Sequence, residues 1–120
     1  MADLNDVLDP ERIAMLRELD GGDGTLLPAV ADEYQADADA QLETMRAAVG
    51  AGDAATLQRA AHTLKGASAN LGATAVAELS RRLEGQARDG DVGGAPPLLD
   101  AIAAELARVR GALRDVVAGV

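Results

Sequence analysis

Cysteine, tryptophan and phenylalanine are absent from this chain, and its 120 residues include one tyrosine, Tyr34, and one histidine, His62. Without cysteine there is no disulfide framework, no thiolate nucleophile and no cysteine-built zinc site. A single histidine cannot supply the several imidazoles on which most histidine-built catalytic metal sites rest. Cations are scarce as well: 11 Lys and Arg face 20 Asp and Glu, for a formal charge of −9. That balance works against nucleic acid, where affinity comes mainly from cations set against phosphates. It works equally against an anionic membrane surface, and one aromatic ring provides no platform for stacking bases. No stretch approaches the roughly 18 apolar residues of a membrane span. The segment from Met1 to Arg12 is acidic where a secretory signal is basic, and no apolar region follows it. These absences lead to the expectation of a cytoplasmic protein with no metal site or cofactor of its own, sized for one domain over residues 1–120.

What is present points to helices. Hydrophobic residues make up 48% of the chain; most are Ala, Leu and Val, and no stretch alternates with period two over the length of a strand. Asp9-Pro10 reads as an N-cap followed by proline at the first helical position, opening a short helix to about Leu19. After the loop Asp20-Gly21-Gly22-Asp23-Gly24, Thr25 is the expected cap of a second helix. Its apolar positions are Leu27, Val30, Tyr34, Ala38, Leu42, Met45 and Val49, in steps of three and four. Gly50-Ala51-Gly52 should break that helix. Asp53 caps a third, with Leu57, Ala61, Leu64, Ser68 and Leu71 along one stripe, and Gly72 stands where a glycine closes a helix. Thr74 is the expected cap of a fourth helix bearing Val76, Leu79 and Leu83. Pro96-Pro97 starts the last, with Leu98, Leu99, Ile102, Leu106, Val109, Leu113 and Val117. Four amphipathic helices with short connections imply an all-α, antiparallel up-down-up-down four-helix bundle, with the short additional N-terminal helix packed across it. Because the stripes can satisfy one another within one bundle, a monomer is expected.

On a helical wheel of about 100° per residue, the third helix turns its stripe to the core and leaves His62 about 150° to 160° from the middle of it. A buried structural histidine is therefore disfavoured, which leaves an ordinary surface residue or a functional one. Lys65, Gly66 and Ala69 share the face of His62 at i+3, i+4 and i+7. A glycine in mid-helix costs roughly 1 kcal/mol relative to alanine, so its presence needs a reason. Clearance for an approaching partner is one such reason. Lys65 sets a cation one turn from the imidazole, which suits an arriving anion, and a neutral imidazole with a free nitrogen lone pair is a nucleophile.

The run His62-Thr63-Leu64-Lys65-Gly66-Ala67-Ser68-Ala69-Asn70-Leu71-Gly72 resembles the signature of histidine-containing phosphotransfer (HPt) domains of two-component phosphorelays. Tyr34 in the second helix, Gly52-Asp53 before the third, Leu83-Glu84 in the fourth and Gly90-Asp91 after it fit the same outline. Ala67 departs from it, since serine is common there. The resemblance implies that His62 accepts a phosphoryl group from an aspartyl phosphate on one receiver (response regulator) domain and passes it to another receiver, with a sensor or hybrid histidine kinase upstream. It further implies that Mg²⁺ belongs to the partner receiver, that Lys65 offsets the charge of phosphohistidine and that Gly66 permits close docking. Gln58, Arg59 and Ala69 are candidates for the docking surface around the ring, and Ser68, Glu84 and Arg88 for its wider surroundings. Ile13, Met15, Leu16 and Leu27 are candidates for an apolar docking patch, though each also suits the core. No GxxxxGK[ST] loop or kinase-like glycine loop is present, so the chain is expected to be a carrier without kinase activity of its own. The alternative reading is a helical binding module that docks on or sequesters a receiver without being phosphorylated. Ser68 and Ser80 lack a second histidine to act as base, and Asp20 and Asp23 lack the spacing of a calcium loop; both pairs read as core or turn residues.

Overall fold

The computed structural model describes residues 7–119; residues 1–6 and 120 of the expected single domain lie outside the described residues. The helices are α1 (Pro10–Leu19), α2 (Leu26–Ala51), α3 (Ala54–Leu71), α4 (Thr74–Arg88) and α5 (Ala95–Val117). Helices α2 to α5 run mostly antiparallel, each packing on the next, and α5 returns to α2 to close the ring. Helix α1 lies against α2 and α3. The all-α bundle expected from the apolar periodicity is the one observed, and there is no strand among the described residues.

The core takes its shape from what the sequence lacks. With no Phe or Trp to fill space, Leu57, Leu64, Leu83, Ile102 and Leu113 are fully buried among many alanines, including Ala60, Ala61, Ala73 and Ala95. Small side chains at the contacts let helices approach closely. The two buried serines, Ser68 and Ser80, sit on the α3 and α4 stripes. Of the expected apolar positions, Val30, Leu42, Val49, Leu79 and Leu98 are partly buried against this core. Val117 differs: it is 41% exposed, and its neighbour Val116, at 7%, takes the buried position in that turn of α5.

Helix ends follow the sequence in part. Asp9 and Asp53 cap as expected, accepting from the backbone N–H of Glu11 at 3.0 Å and of Thr56 at 3.1 Å. Thr25 holds the N-cap position of α2 as expected, but its side chain makes no capping bond; its hydroxyl bonds to Asp23, and the carboxylate of Asp20 takes the N–H groups of Gly22, Gly24 and Leu26. Three such donors hold the Asp20 carboxyl below its ordinary range. Nor does Thr74 cap α4: it is the first helical residue, with Ala73 before it. Helix α2 runs through Gly50 and stops only at Gly52, whose φ of +66° is left-handed.

Gly72 positions two things at once. Its φ of +89° ends α3, and the N–H of Ala73 closes onto Ser68 O at 2.8 Å. Its own carbonyl accepts from Asp9 N at 2.8 Å, which fastens the start of α1 to the α3–α4 turn. The far end of α1 is held by Arg17, whose guanidinium donates to Val116 O of α5 at 3.2 Å. Across the opposite seam, Arg110 of α5 reaches both carboxylate oxygens of Asp39 on α2, at 2.9 and 3.1 Å.

Candidate functional site

The tight Gly72–Ala73 turn sets the register of the α3–α4 hairpin. His62 and Glu84 stand equally far along the chain from Ala73, so an antiparallel pair brings them to the same height. His62 is indeed on the solvent side of α3, with its side chain 66% exposed. Glu84 faces it from α4 and is 8% exposed. The ring Nδ1 lies 2.7 Å from Glu84 Oε2. Lys65, one turn along from His62, donates from Nζ to Glu84 Oε1 at 2.6 Å. Arg88, one turn along from Glu84, brings a guanidinium nitrogen within 3.9 Å of Oε2.

One carboxylate thus underlies the histidine and its neighbouring cation. The Lys65 hydrogen bond holds the Glu84 carboxyl below its ordinary range, with His62 adding to the effect and burial opposing it. An ionised carboxylate can only accept hydrogen bonds, so Nδ1 must carry the hydrogen in this contact. In the neutral ring the remaining lone pair is then on Nε2, on the side away from Glu84. The chemistry available is that of an oriented, exposed imidazole nucleophile.

The residues around the ring divide by depth. Ala69 and Arg59 are exposed and Gln58 is half-buried; the Arg59 guanidinium donates to Thr56 Oγ1 at 3.3 Å. Gly66 is exposed, and a Cβ built there would meet nothing within 4 Å. The chain's own packing therefore does not require a glycine at that position. Ser68 lies behind the site, not on it: it is fully buried and shares a 2.8 Å hydrogen bond with the Tyr34 hydroxyl. Of the four apolar docking candidates, Ile13 and Leu27 are core residues at 6% and 8% exposure, Leu16 is half-buried and Met15 is 46% exposed. Leu16 lines a cleft of about 660 Å³ between α1, α2 and α3, together with Val30, Tyr34, Ala67 and Asn70, with Glu33 and Asp37 also lining it.

Two features escaped the sequence reading. The Tyr34–Ser68 pair joins positions on different helices with no local signature. Glu84 was expected near the site, but not as the shared partner of His62 and Lys65. A signal existed: Glu84 falls in the buried run of α4 with Val76, Ser80, Leu83 and Ala87, and a carboxylate on a core stripe is rare unless it is paired. Among the described residues, no group of three or more His, Asp or Glu could hold a metal ion. No described helix is long and apolar enough to cross a membrane.

Comparison with known proteins agrees with the fold. The family model described as "Hpt domain" matches residues 29–112. The crystal structure of histidine-containing phosphotransfer protein B from Pseudomonas aeruginosa PAO1 is similar, with a TM-score of 0.85 and 34% identity, over 94% of this chain and 96% of that one. The HPT domain of a sensor hybrid histidine kinase from Shewanella shares the fold, with a TM-score of 0.76 and 21% identity, over 98% of both chains. Curated protein sequences offer no match to this chain.

Proposed function

Because the chain belongs to the Hpt domain family of two-component phosphorelays, we propose that it carries a phosphoryl group on Nε2 of His62 between aspartates of receiver domains. The observation that supports this most is the 2.7 Å contact of Nδ1 with Glu84 beneath an exposed ring, which leaves the Nε2 lone pair free and directed outward. In the transfer, that lone pair forms the N–P bond while the P–O bond to the donor aspartate breaks, its electron pair staying on the carboxylate. In-line attack of this kind depends on positioning and on offsetting charge at the equatorial oxygens. Glu84 provides the positioning from below. Lys65 and Arg88, placed 2.6 and 3.9 Å from the Glu84 carboxylate, supply positive charge on this face. Gly66 leaves the ring accessible to a bulky partner, and Mg²⁺ arrives with the receiver.

Docking is assigned to Gln58, Arg59 and Ala69 on α3, with exposed Met15 and with Leu16, which lines the cleft. A sensor or hybrid kinase stands upstream of the first receiver, and the carrier acts as a monomer.

The test uses a receiver domain bearing labelled aspartyl phosphate, incubated with wild type and with His62→Gln. Acid-labile label is expected on the wild type alone. Label on both proteins would move the acceptor elsewhere, and label on neither, with the receiver still bound, would favour the non-phosphorylated binding module.

A further inference from the structure

A glutamine at position 84 could still accept from Nδ1 through its one carbonyl oxygen, though it would have none left for Lys65 Nζ. Orienting Nδ1 by itself needs only one neutral acceptor; Glu84 adds a negative charge, held where charge is unfavourable. Glu84 is 8% exposed, and burial opposes its ionisation. The Lys65 hydrogen bond at 2.6 Å keeps its carboxyl below the ordinary range, with the His62 contact adding to the effect; Arg88 stands 3.9 Å away. Lys65 is hydrogen-bonded to the other carboxylate oxygen, so the charged group in contact with Nδ1 is the anion itself. Arg59, the other cation near this face of α3, is engaged with Thr56.

We infer that the charge of Glu84 keeps a proton on Nδ1 of phosphorylated His62, which makes the phosphoprotein a fast onward donor rather than a phosphoryl store. The inference rests on His62 being the acceptor. Once Nε2 has bonded to phosphorus, Nδ1 still carries its hydrogen, so the ring is a phosphoimidazolium cation directly against the Glu84 anion. In the onward step an oxygen of the next receiver's carboxylate bonds to phosphorus. The N–P electron pair returns to Nε2, and neutral imidazole departs with its Nδ1 hydrogen in place. If that proton were lost to solvent first, the same bond cleavage would have to expel an imidazolate anion, a far poorer leaving group. Glu84 acts here through the ring, as a positioning residue that also sets the protonation state.

Phosphoramidate phosphorylates imidazoles without any receiver, so the wild type and Glu84→Gln can be loaded directly and followed by phosphorus NMR from neutral to alkaline pH. Phosphohistidine on Glu84→Gln is expected to last about tenfold longer at alkaline pH, the ratio that separates a charge-assisted from a neutral hydrogen bond. The pH at which hydrolysis slows should also lie lower in the variant. Circular dichroism checks that the variant is folded. Nitrogen NMR of the loaded wild type provides a measurement that needs no variant: Nδ1 should be protonated at a pH where free phosphohistidine has lost that proton. Equal lifetimes and pH profiles, an unprotonated Nδ1, or a ring that phosphoramidate fails to load would each overturn the inference. These outcomes are separate from the receiver experiment, in which failure of label to reach His62 overturns the acceptor role and leaves the lifetime comparison standing.

Discussion

Gly66 and Tyr34 illustrate how single residues divide between site and scaffold. A glycine inside α3 weakens the helix, and the empty space where its Cβ would be shows that no neighbour benefits from the gap. Gly66→Ala should therefore stabilise the protein by up to about 1 kcal/mol in urea denaturation. Gly66→Gln should keep the fold yet slow phosphoryl transfer from a receiver by about tenfold, the cost of roughly 1.4 kcal/mol of hindered approach. A destabilised Gly66→Ala would instead mark the glycine as a packing residue. Tyr34 belongs to the scaffold. Burial pushes its phenol up to about 12, against an opposing hydrogen bond from Ser68, with Asp37 adding to the rise. A raised value in the folded state means that Tyr34 contributes stability fully below its ordinary value of 10, and that the contribution is lost as pH climbs from 10 to about 12. With one tyrosine and no tryptophan in the chain, near-ultraviolet absorbance reads this titration directly. Its midpoint should fall back to about 10 in denaturant.

At the scale of elements, the α3–α4 hairpin decides the geometry of the site, and Gly72 decides the hairpin. Its left-handed φ excludes most side chains, and a Cβ there would lie 3.0 Å from the Cβ atoms of both Asp9 and Arg12. Gly72→Ala should cost about 2–4 kcal/mol, combining the left-handed penalty with crowding against α1. Gly52 is the comparison: its φ is +66°, but nothing lies within 4 Å of a Cβ. Gly52→Ala should cost only about 1–2 kcal/mol, and denaturation midpoints of the two variants separate the α1 contact from the backbone term. The caps were legible in sequence where an aspartate immediately precedes a helix, as at Asp9 and Asp53. They were not legible where a longer loop lets a more distant side chain reach back. Asp20 displaced Thr25 as the partner of α2 because the folded loop lets one carboxylate meet three N–H groups, and nothing in the local pattern encodes that arrangement.

Across the whole molecule, the proposed role asks the surface around His62 to attract a receiver despite a charge of −9. Such a surface needs local apolar contacts. Met15 is exposed and half-buried Leu16 shares a cleft with Ala67 and Asn70 of the ring's helix, whereas Ile13 and Leu27 are enclosed. Met15→Ala should leave stability within about 0.5 kcal/mol while weakening receiver binding about fivefold, or roughly 1 kcal/mol. Ile13→Ala should instead destabilise the fold by about 2–5 kcal/mol. Titration with an unphosphorylated receiver, alongside urea denaturation, distinguishes the two roles. Unchanged affinity in Met15→Ala would remove Met15 from the docking surface.

Periodicity, punctuation and scarcity sufficed for the helices, their order, the solvent-facing histidine and the cation and glycine beside it. Each of these follows from spacing along one helix, which the sequence states directly. Only the tertiary structure could decide what lies beneath the ring, because Glu84 meets His62 and Lys65 through a turn whose register no local pattern contains. The same holds for depth: Ile13 and Met15 are both apolar and both belong to α1, but which of them faces the bundle is decided by how Gly72 and Val116 hold that helix at its two ends. The single histidine was evident from composition alone. Its free nitrogen was determined by a carboxylate on the neighbouring helix, because an ionised acceptor leaves Nδ1 no role but donor.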